Sequence, residues 1–229
     1  MKWKFFFLFL FLIYPSFLYS HVSHYNKIKS IEMDILRNGK KVGYNKYNFF
    51  AKNEFFIVKN ETNFVAKVIG LNLLSIDSFS TETYKNGKLV KYSSRTTQNE
   101  KPKFNDLILN EKNKIYNIKG SSFSGIAPYD ALVGNWWNHN ILKSEIIISP
   151  LSGSLKFQEV YFLSNETLKI EKKIYDTSRF KVVIKKKIDD KKKEEFNVWL
   201  DEKSKIILKV SYSKFGDWEY IVTNVEKFY

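Results

Sequence analysis

The chain of 229 residues contains no cysteine. Disulfide bonds, thiolate metal sites and a cysteine nucleophile are therefore excluded, as is a lipid-modified cysteine at a processed N-terminus. A chain of this size can bury a core that is stable without covalent cross-links. The sequence thus predicts a fold held together by noncovalent packing, and we expect no cofactor.

Arginine is also scarce, since only Arg37, Arg95 and Arg179 accompany the lysines that produce a net charge of +14. Lysine supplies a point charge but lacks the planar guanidinium group with which arginine makes two parallel hydrogen bonds to one phosphate or base. The lysines are also scattered along the chain rather than gathered in one patch. This pattern argues against nucleic acid as a partner and leaves an anionic membrane surface as a candidate.

Catalytic motifs are missing too. There is no glycine-rich phosphate loop, and the glycines of Gly120-Ser-Ser-Phe-Ser-Gly125 are one residue too far apart for a nucleophile elbow. His139 is the only histidine well inside the predicted folded region, so a Ser-His-Asp hydrolase would have to use it. A polar histidine at a helix end is the simpler interpretation. We therefore expect no enzymatic activity.

The first twenty residues have the order of a secretory signal. Lys2 and Lys4 precede an apolar run from Phe5 to Tyr14, Pro15 breaks that run, and Ser20 offers a small residue for cleavage. A membrane anchor is the alternative, but spanning a bilayer takes about 20 apolar residues. The sequence predicts a signal peptide at residues 1–20 and one mature domain at 21–229, in the periplasm or secreted.

Two small groups of polar residues have simple interpretations. His21 and His24 would lie beside the cleavage site, where a free amine and imidazoles suit copper or nickel. A flexible terminus without a metal is the preferred interpretation. Glu32 and Asp34 share one face of a predicted strand, which favours a solvated pair over acid–base chemistry.

The mature chain has the period of β-strands. Ile31, Met33 and Ile35 alternate with polar residues, and Asn38-Gly39 then predicts a tight hairpin turn. Asn86-Gly87 repeats that signal, whereas the polar stretch Asn60 to Asn63 suggests a turn inside a long extended run. In the C-terminal third, aliphatic residues alternate with lysines between turns. The pattern predicts an all-β fold, a meander of antiparallel strands with one buried face.

The segment Ser121 to Asn140 departs from this alternation. Pro128 suits a first helical position, and the apolar residues after it have helical spacing, so we predict a short helix of about three turns, or at least a compact loop. We expect this segment to pack over the concave side of a curved sheet that forms a half-barrel or incomplete barrel. Six candidate ligand-binding residues would then lie on that side. These are Tyr129, Leu132, Val133, Trp136, Trp137 and His139. An aromatic content of 17% suits either a pocket for apolar ligands or plain core filling.

A series of short motifs resembles a known family. They are Asn38-Gly39-Lys-Lys-Val-Gly43, Glu82-Thr-Tyr-Lys-Asn-Gly87-Lys-Leu89, Asn99, Pro128 to Trp137, Pro150-Leu-Ser-Gly153 and Val198-Trp-Leu-Asp201. In this order they resemble an exported proteobacterial family known only as a domain of unknown function, over most of residues 28–225. Such families are similar to the lipoprotein-localisation (Lol-like) half-barrel, some members of which carry acyl chains. The resemblance implies a curved sheet and, by analogy only, an acyl ligand.

These observations support an exported monomer that binds an apolar or lipidic ligand, or an envelope partner, without catalysis. A structural or interaction domain with a filled core is the second interpretation. A hydrolase-type enzyme using His139 is the third. A pocket behind Trp136 and Trp137 would favour the first interpretation, and a packed interior the second.

Export can be tested by fractionating cells that express the full chain. Cleavage after Ser20 removes 20 of 229 residues, so we expect a 209-residue product in the periplasm or the medium. N-terminal sequencing and intact mass measure the product. Recovery of full-length protein in the inner membrane would contradict cleavage.

Overall fold

The computed structural model of the protein describes residues 23–186 and 190–228. The predicted signal peptide, His21, Ile188 and Asp189 lie outside the described residues, as does the side chain of His24. No helix in the described ranges is long and apolar enough to cross a membrane.

Within these ranges the chain forms fifteen strands that join in one sheet. In chain order they are β1 Ile28–Arg37, β2 Lys40–Lys52, β3 Phe55–Val68, β4 Leu71–Lys85, β5 Lys88–Gln98, β6 Lys101–Asn110, β7 Ile115–Gly120, β8 Ser124–Pro128, β9 Leu132–Val133, β10 Ile146–Ile148, β11 Leu155–Ile170, β12 Lys173–Lys185, β13 Lys193–Asp201, β14 Ile207–Ser213 and β15 Asp217–Lys227. The sheet runs from β8 back to β1, then from β15 down to β9. All neighbours are antiparallel except β9 and β10.

The sheet is strongly curved. Laid flat, fifteen strands at about 4.8 Å spacing would span roughly 67 Å. Yet Phe49 of β2, Tyr92 of β5 and Leu208 of β14 belong to one buried cluster. The edge strands β8 and β9 are joined by a short link, where Ala131 N donates to Pro128 O at 3.1 Å, but they do not pair with each other. The predicted all-β incomplete barrel is confirmed.

Strand alternation decides which face is buried. Ile31, Met33 and Ile35 of β1 are buried on the concave, inner face. Glu32 and Asp34 face outward, where they pair with Lys46 and Lys41 at 2.5 and 2.7 Å. The prediction of a solvated carboxylate pair is therefore confirmed.

The same alternation holds in the C-terminal strands. The buried residues include Val182, Ile184, Val198, Leu208 and Val210, as predicted, while Leu200 is only half-buried. On the outer face, Lys181, Lys185 and Lys209 pair with Glu195, Glu159 and Glu219. Trp199 is also on the outer face but is buried, because Arg179 and Lys209 lie over its ring at 4.9 and 5.2 Å.

The two predicted Asn-Gly turns are present. Asn38 and Gly39 have φ of 49° and 73°, and Asn86 and Gly87 repeat these values within a few degrees. The turn suggested at Asn60 to Asn63 is wrong, because β3 runs through these residues and turns at Ile69-Gly70. Asn60 faces inward, where its amide donates to the side chain of Asn45. A polar residue in the core, rather than a turn, explains this break in the apolar pattern.

The predicted three-turn helix is also wrong. Residues 129–154, here called the covering segment, cross the inner face of the sheet mostly as turns, with one five-residue 3-10 helix at His139–Lys143. Pro128 instead ends β8, and Leu132 and Val133 pair with Ile147 and Ile148 as a parallel strand. Strand pairing thus takes Pro128, Leu132 and Val133, and the two tryptophans that completed the helical spacing lie in a turn.

The contact between β2 and β3 generates a stability prediction. An added Cβ at Gly43 would lie 2.0 Å from Asn63 O and 2.3 Å from Phe64 Cβ. We expect Gly43→Ala to lower the free energy of unfolding by about 1–3 kcal/mol, because the strands must separate to admit the methyl group. Urea denaturation measures the effect. Gly134→Ala is the control, since a Cβ there meets nothing closer than 3.7 Å, and equal loss in both variants would contradict the argument.

Candidate functional site

A buried carboxylate anchors the covering segment to the sheet. Glu82 of β4 is 1% exposed. Its Oε1 accepts hydrogen bonds from Asn135 Nδ2 at 2.6 Å and Trp137 Nε1 at 2.8 Å. Its Oε2 accepts from the Tyr84 hydroxyl at 2.5 Å. Because three donors from two parts of the chain converge on one side chain, Glu82 fixes where the segment crosses.

Burial raises the pKa of Glu82 above the ordinary glutamate value of 4.5. The cause is desolvation, which disfavours the charged form, and the hydrogen bonds from Tyr84, Trp137 and Asn135 oppose it only in part. The phenol of Tyr84 beside it also has a raised pKa, first through burial and then through the Glu82 carboxyl.

Trp137 fills the centre of the inner face. It is 1% exposed and packs edge-on against Tyr25, Phe49 and Tyr84, with ring centroids 5.0 to 5.7 Å away. Tyr25 comes from a short 3-10 helix at Ser23–Lys27, and its hydroxyl donates to Trp137 O at 2.6 Å. The same hydroxyl lies 3.2 Å from His139 Nδ1. This half of the interior is packed solid.

Polar side chains line the inner face of β4 to β6 under the covering segment. Tyr92 and Ser94 both donate to Pro150 O, at 2.9 and 2.6 Å. Asn105 Nδ2 donates to Ser149 O at 3.2 Å. An irregular segment leaves backbone carbonyls without strand partners, and burying them unpaired is costly. The inward polar residues supply the missing donors.

The other half of the interior is open. Between the covering segment and the inner face of β12 to β15 lies a cleft of about 1410 Å³. One wall is a continuous row of aromatic rings, in which Trp136, Phe196, Tyr212 and Trp218 follow one another at centroid distances of 5.6, 5.1 and 6.0 Å. Ile147 and Ile184 extend the apolar lining. The cleft can therefore accept an apolar chain.

The mouth of the cleft is charged. Glu194 lies between Lys214 and Lys156, at 2.6 and 3.3 Å. Burial would raise the pKa of Glu194, but the two lysines outweigh it and hold that pKa below its ordinary value. Lys186 and Lys192 also line the mouth and form no ion pair with another described residue. An apolar interior with a charged entrance suits an amphiphile.

The structure separates the six candidate ligand-binding residues. Trp136 alone among them lines the cleft, while Trp137 and Val133 are in the core and Leu132 is half-buried in β9. Tyr129 lies at the far end of the sheet, with Lys88 Nζ 3.6 Å from its ring centroid. His139 contacts Tyr25. Ligand binding by these residues stays a prediction.

Sequence reasoning missed the most constrained group, Glu82 and Asn135, and most of the cleft wall. A signal for Glu82 existed, since it shares the parity of Tyr84, an aromatic residue expected inside. Phe79, three positions before Glu82 and therefore of the opposite parity, is exposed on the outer face instead. Nothing in the local pattern joins Trp136 to Phe196 and Tyr212, which come from distant strands. In the described ranges, no cluster of three or more His, Cys, Asp or Glu side chains could hold a metal ion.

Fold and site together define a class of protein, a curved antiparallel sheet wound into an open barrel around one packed half and one cleft. The chain belongs to the family described as Domain of unknown function (DUF6134), whose model matches residues 33–223. This confirms the resemblance to a family of unknown function.

Among solved structures, the chain is similar to a β-barrel-like protein of the DUF1849 family from Brucella abortus, with a TM-score of 0.60 and 7% identity over 89% of this chain and 98% of that one. A protein with a YmcC-like fold from Bacteroides fragilis matches with a TM-score of 0.36 and 11% identity, over 88% of this chain and 97% of that one. The first likeness supports the barrel-like fold. No curated protein matches in sequence.

The buried carboxyl predicts how stability depends on pH. An unfolded glutamate ionises near pH 4.5, whereas folded Glu82 keeps its proton to a higher pH. The wild-type protein therefore loses stability, relative to Glu82→Gln, as the pH rises from 4.5 toward the folded pKa, by at most about 1.4 kcal/mol per pH unit.

Urea denaturation of both proteins at several pH values measures this difference. Glu111→Gln is the control, because Glu111 is exposed at a hairpin turn and its curve should run parallel to that of the wild type. The free energy of unfolding of the wild type minus that of Glu82→Gln should fall as the pH rises, and a difference that stays constant or increases would refute the assignment.

Proposed function

We propose that the protein is exported and binds an apolar or lipidic ligand in the cleft, without catalysing a reaction. The observation that carries the proposal is the cleft itself, about 1410 Å³ of space beside a continuous aromatic wall. Small-molecule sites usually measure about 300–1,000 Å³. The space therefore suits at least one long acyl chain.

The distribution of charge supports an amphiphilic ligand. The lining combines apolar side chains, among them Trp136, Phe196 and Ile147, with several lysines and carboxylates. An acyl chain would bury its apolar surface against the wall at about 25 cal/mol per Å². Its headgroup would remain at the mouth, where Lys156 and Lys214 could pair with an anionic oxygen. Residues 1–20 have the basic, apolar and small-residue order of a secretory signal, which supports a site of action outside the cytosol, in contact with lipids.

A structural or interaction domain is the second candidate, and the packed half of the interior favours it. Trp137, Tyr25 and Phe49 leave no space around Glu82. In that case the cleft would hold only water, and binding would occur on the outside of the barrel. The two candidates therefore differ in whether a soluble amphiphile occupies the cleft.

The cleft hypothesis is tested by titrating the purified protein with a dansyl-labelled fatty acid. Trp136 lines the cleft and is half-buried, so we expect Trp136→Ala to weaken binding about tenfold or more, through the lost ring contact. Energy transfer from tryptophan to dansyl measures binding, and mass spectrometry of co-purifying lipids identifies the natural ligand.

Two controls define the result. Phe162→Ala removes an exposed aromatic ring that packs beside Phe180 and does not line the cleft, and should leave binding unchanged. Trp137→Ala should instead lower the free energy of unfolding by about 3–5 kcal/mol, as expected for a core residue. A wild-type protein that neither binds the probe nor carries lipid would contradict ligand binding and favour the second candidate.

A further inference from the structure

Three apolar side chains protrude from the turns at one end of the sheet. Ile69 in the β3–β4 turn and Leu71 directly after it are 97% and 76% exposed, and Phe215 in the β14–β15 turn is 76% exposed. We call these three residues the hairpin tips. Large apolar residues at this exposure contribute little to folding, because folding removes little of their surface from water.

The tips also occupy costly backbone positions. Ile69 and Phe215 have φ of 49° and 54°, in the left-handed region. In the other hairpins of this chain the position with positive φ holds a polar residue, asparagine as at Asn38 and Asn86 or a charged residue as at Glu171. A β-branched or aromatic residue is disfavoured there, whereas asparagine is tolerated. The chain thus accepts local strain twice to display apolar side chains to solvent, and strain of this kind is concentrated at functional positions.

Hydrogen bonds hold the tips near one another. The guanidinium of Arg37, at the β1–β2 turn, donates to Lys67 O at 3.4 Å and also to Phe215 O. Asp217 N donates to Asn38 Oδ1 at 2.8 Å. The β1–β2, β3–β4 and β14–β15 turns therefore form one connected end of the barrel.

The cleft opens at the same end. Its lining includes Leu73 just after the β3–β4 turn, Gln98 at the end of β5, and Lys214 and Phe215 of the β14–β15 turn. Of the tips, Phe215 therefore lies at the cleft itself, and Ile69 and Leu71 lie at the same end of the barrel. A surface that docks here brings its own molecules next to the cleft.

Cationic side chains surround the tips. Lys40 and Lys67 are exposed and form no ion pair with another described residue, and the same holds for Lys192. Carboxylates also lie at this end: besides Glu100 and Asp190 there are Asp217, exposed near Phe215, and Glu194, which pairs with two lysines, but lysines outnumber them. Each lysine close to an anionic bilayer contributes about 1 kcal/mol to attraction. The opposite end of the barrel is lysine-rich as well, so the apolar tips decide which end docks.

We propose that the hairpin tips insert into the surface of an anionic phospholipid bilayer, with the surrounding lysines on the headgroups and the cleft mouth facing the membrane. Separate protruding side chains suit a soft lipid interface, which closes around each of them. A rigid protein partner would instead need matching pockets for three separated projections. The docking surface does not depend on ligand binding in the cleft, and the two are tested separately.

Co-sedimentation with vesicles tests the proposal. Wild-type protein should bind vesicles of phosphatidylglycerol and phosphatidylethanolamine, bind pure phosphatidylcholine weakly, and dissociate as salt rises, because screening weakens the lysine contribution. The double variant Ile69→Asn and Phe215→Asn should bind the anionic vesicles about tenfold or more weakly, since it loses two inserted side chains. Asparagine suits both turns, so this variant should unfold at the same temperature as wild type or a higher one.

Matched variants at the other end serve as controls. Ile174 is 71% exposed beside the β11–β12 turn, and Ile174→Ser should leave vesicle binding unchanged. Lys40→Gln with Lys67→Gln should weaken binding and reduce its salt dependence, whereas Lys52→Gln with Lys112→Gln, at the opposite end, should do neither.

Several results would overturn the proposal. One is that the Asn double variant binds vesicles as strongly as the wild type does, since the tips would then serve a soluble protein partner and not the bilayer. Another is an equal loss in Ile174→Ser. A third is lipid-free self-association of the wild type, seen by sedimentation velocity and abolished in the double variant, since the tips would then bind a second copy. The double variant should still bind the dansyl fatty acid, and Trp136→Ala should still bind vesicles, so failure of docking is distinguishable from failure of the cleft hypothesis.

Discussion

The structure depends on how the carbonyl groups of the covering segment find hydrogen-bond donors inside the barrel. A segment that crosses the interior as turns cannot satisfy its own backbone, and the cost of each unpaired buried group is about 1–3 kcal/mol. The inner faces of β4 to β6 meet this need with Tyr92, Ser94 and Asn105. Glu82 then locks the segment in register by accepting from Asn135 and Trp137. The polar residues in this core are thus a condition of the fold.

This arrangement divides the interior into two unlike halves. Against β1 to β5 the segment presents Trp137, which fills the space with Tyr25 and Phe49. Against β12 to β15 it presents Trp136, whose ring packs against Phe196 at a centroid distance of 5.6 Å and lines the cleft. Adjacent residues on an extended or turning backbone point in different directions. One dipeptide therefore closes one half of the barrel and lines the other.

The end of the barrel at the cleft mouth shows a cost that folding does not explain. Natural turns of this geometry favour asparagine and glycine. This chain also places charged residues there, as at Glu171 and Lys205, but Ile69 and Phe215 are the only apolar ones among the described non-glycine residues with positive φ. Proteins commonly accept such local losses at positions kept for binding. The cleft and the tips are independent observations that direct attention to the same end.

The sequence alone determined the strand character, the buried parity and the tight Asn-Gly turns. These follow from period-two alternation and from the φ preferences of Asn38, Gly39 and their counterparts, which act over a few residues. It did not reveal that Asn60 and Glu82 face inward, because their partners, Asn45 and Trp137, come from other strands or from the covering segment. The helix predicted after Pro128 failed for a related reason, since apolar spacing cannot show that Leu132 and Val133 will pair with Ile147 and Ile148. The cleft was decided by the tertiary structure, because its wall needs strand register to align Phe196, Tyr212 and Trp218 on β13 to β15 and needs the crossing of the covering segment to place Trp136 against Phe196.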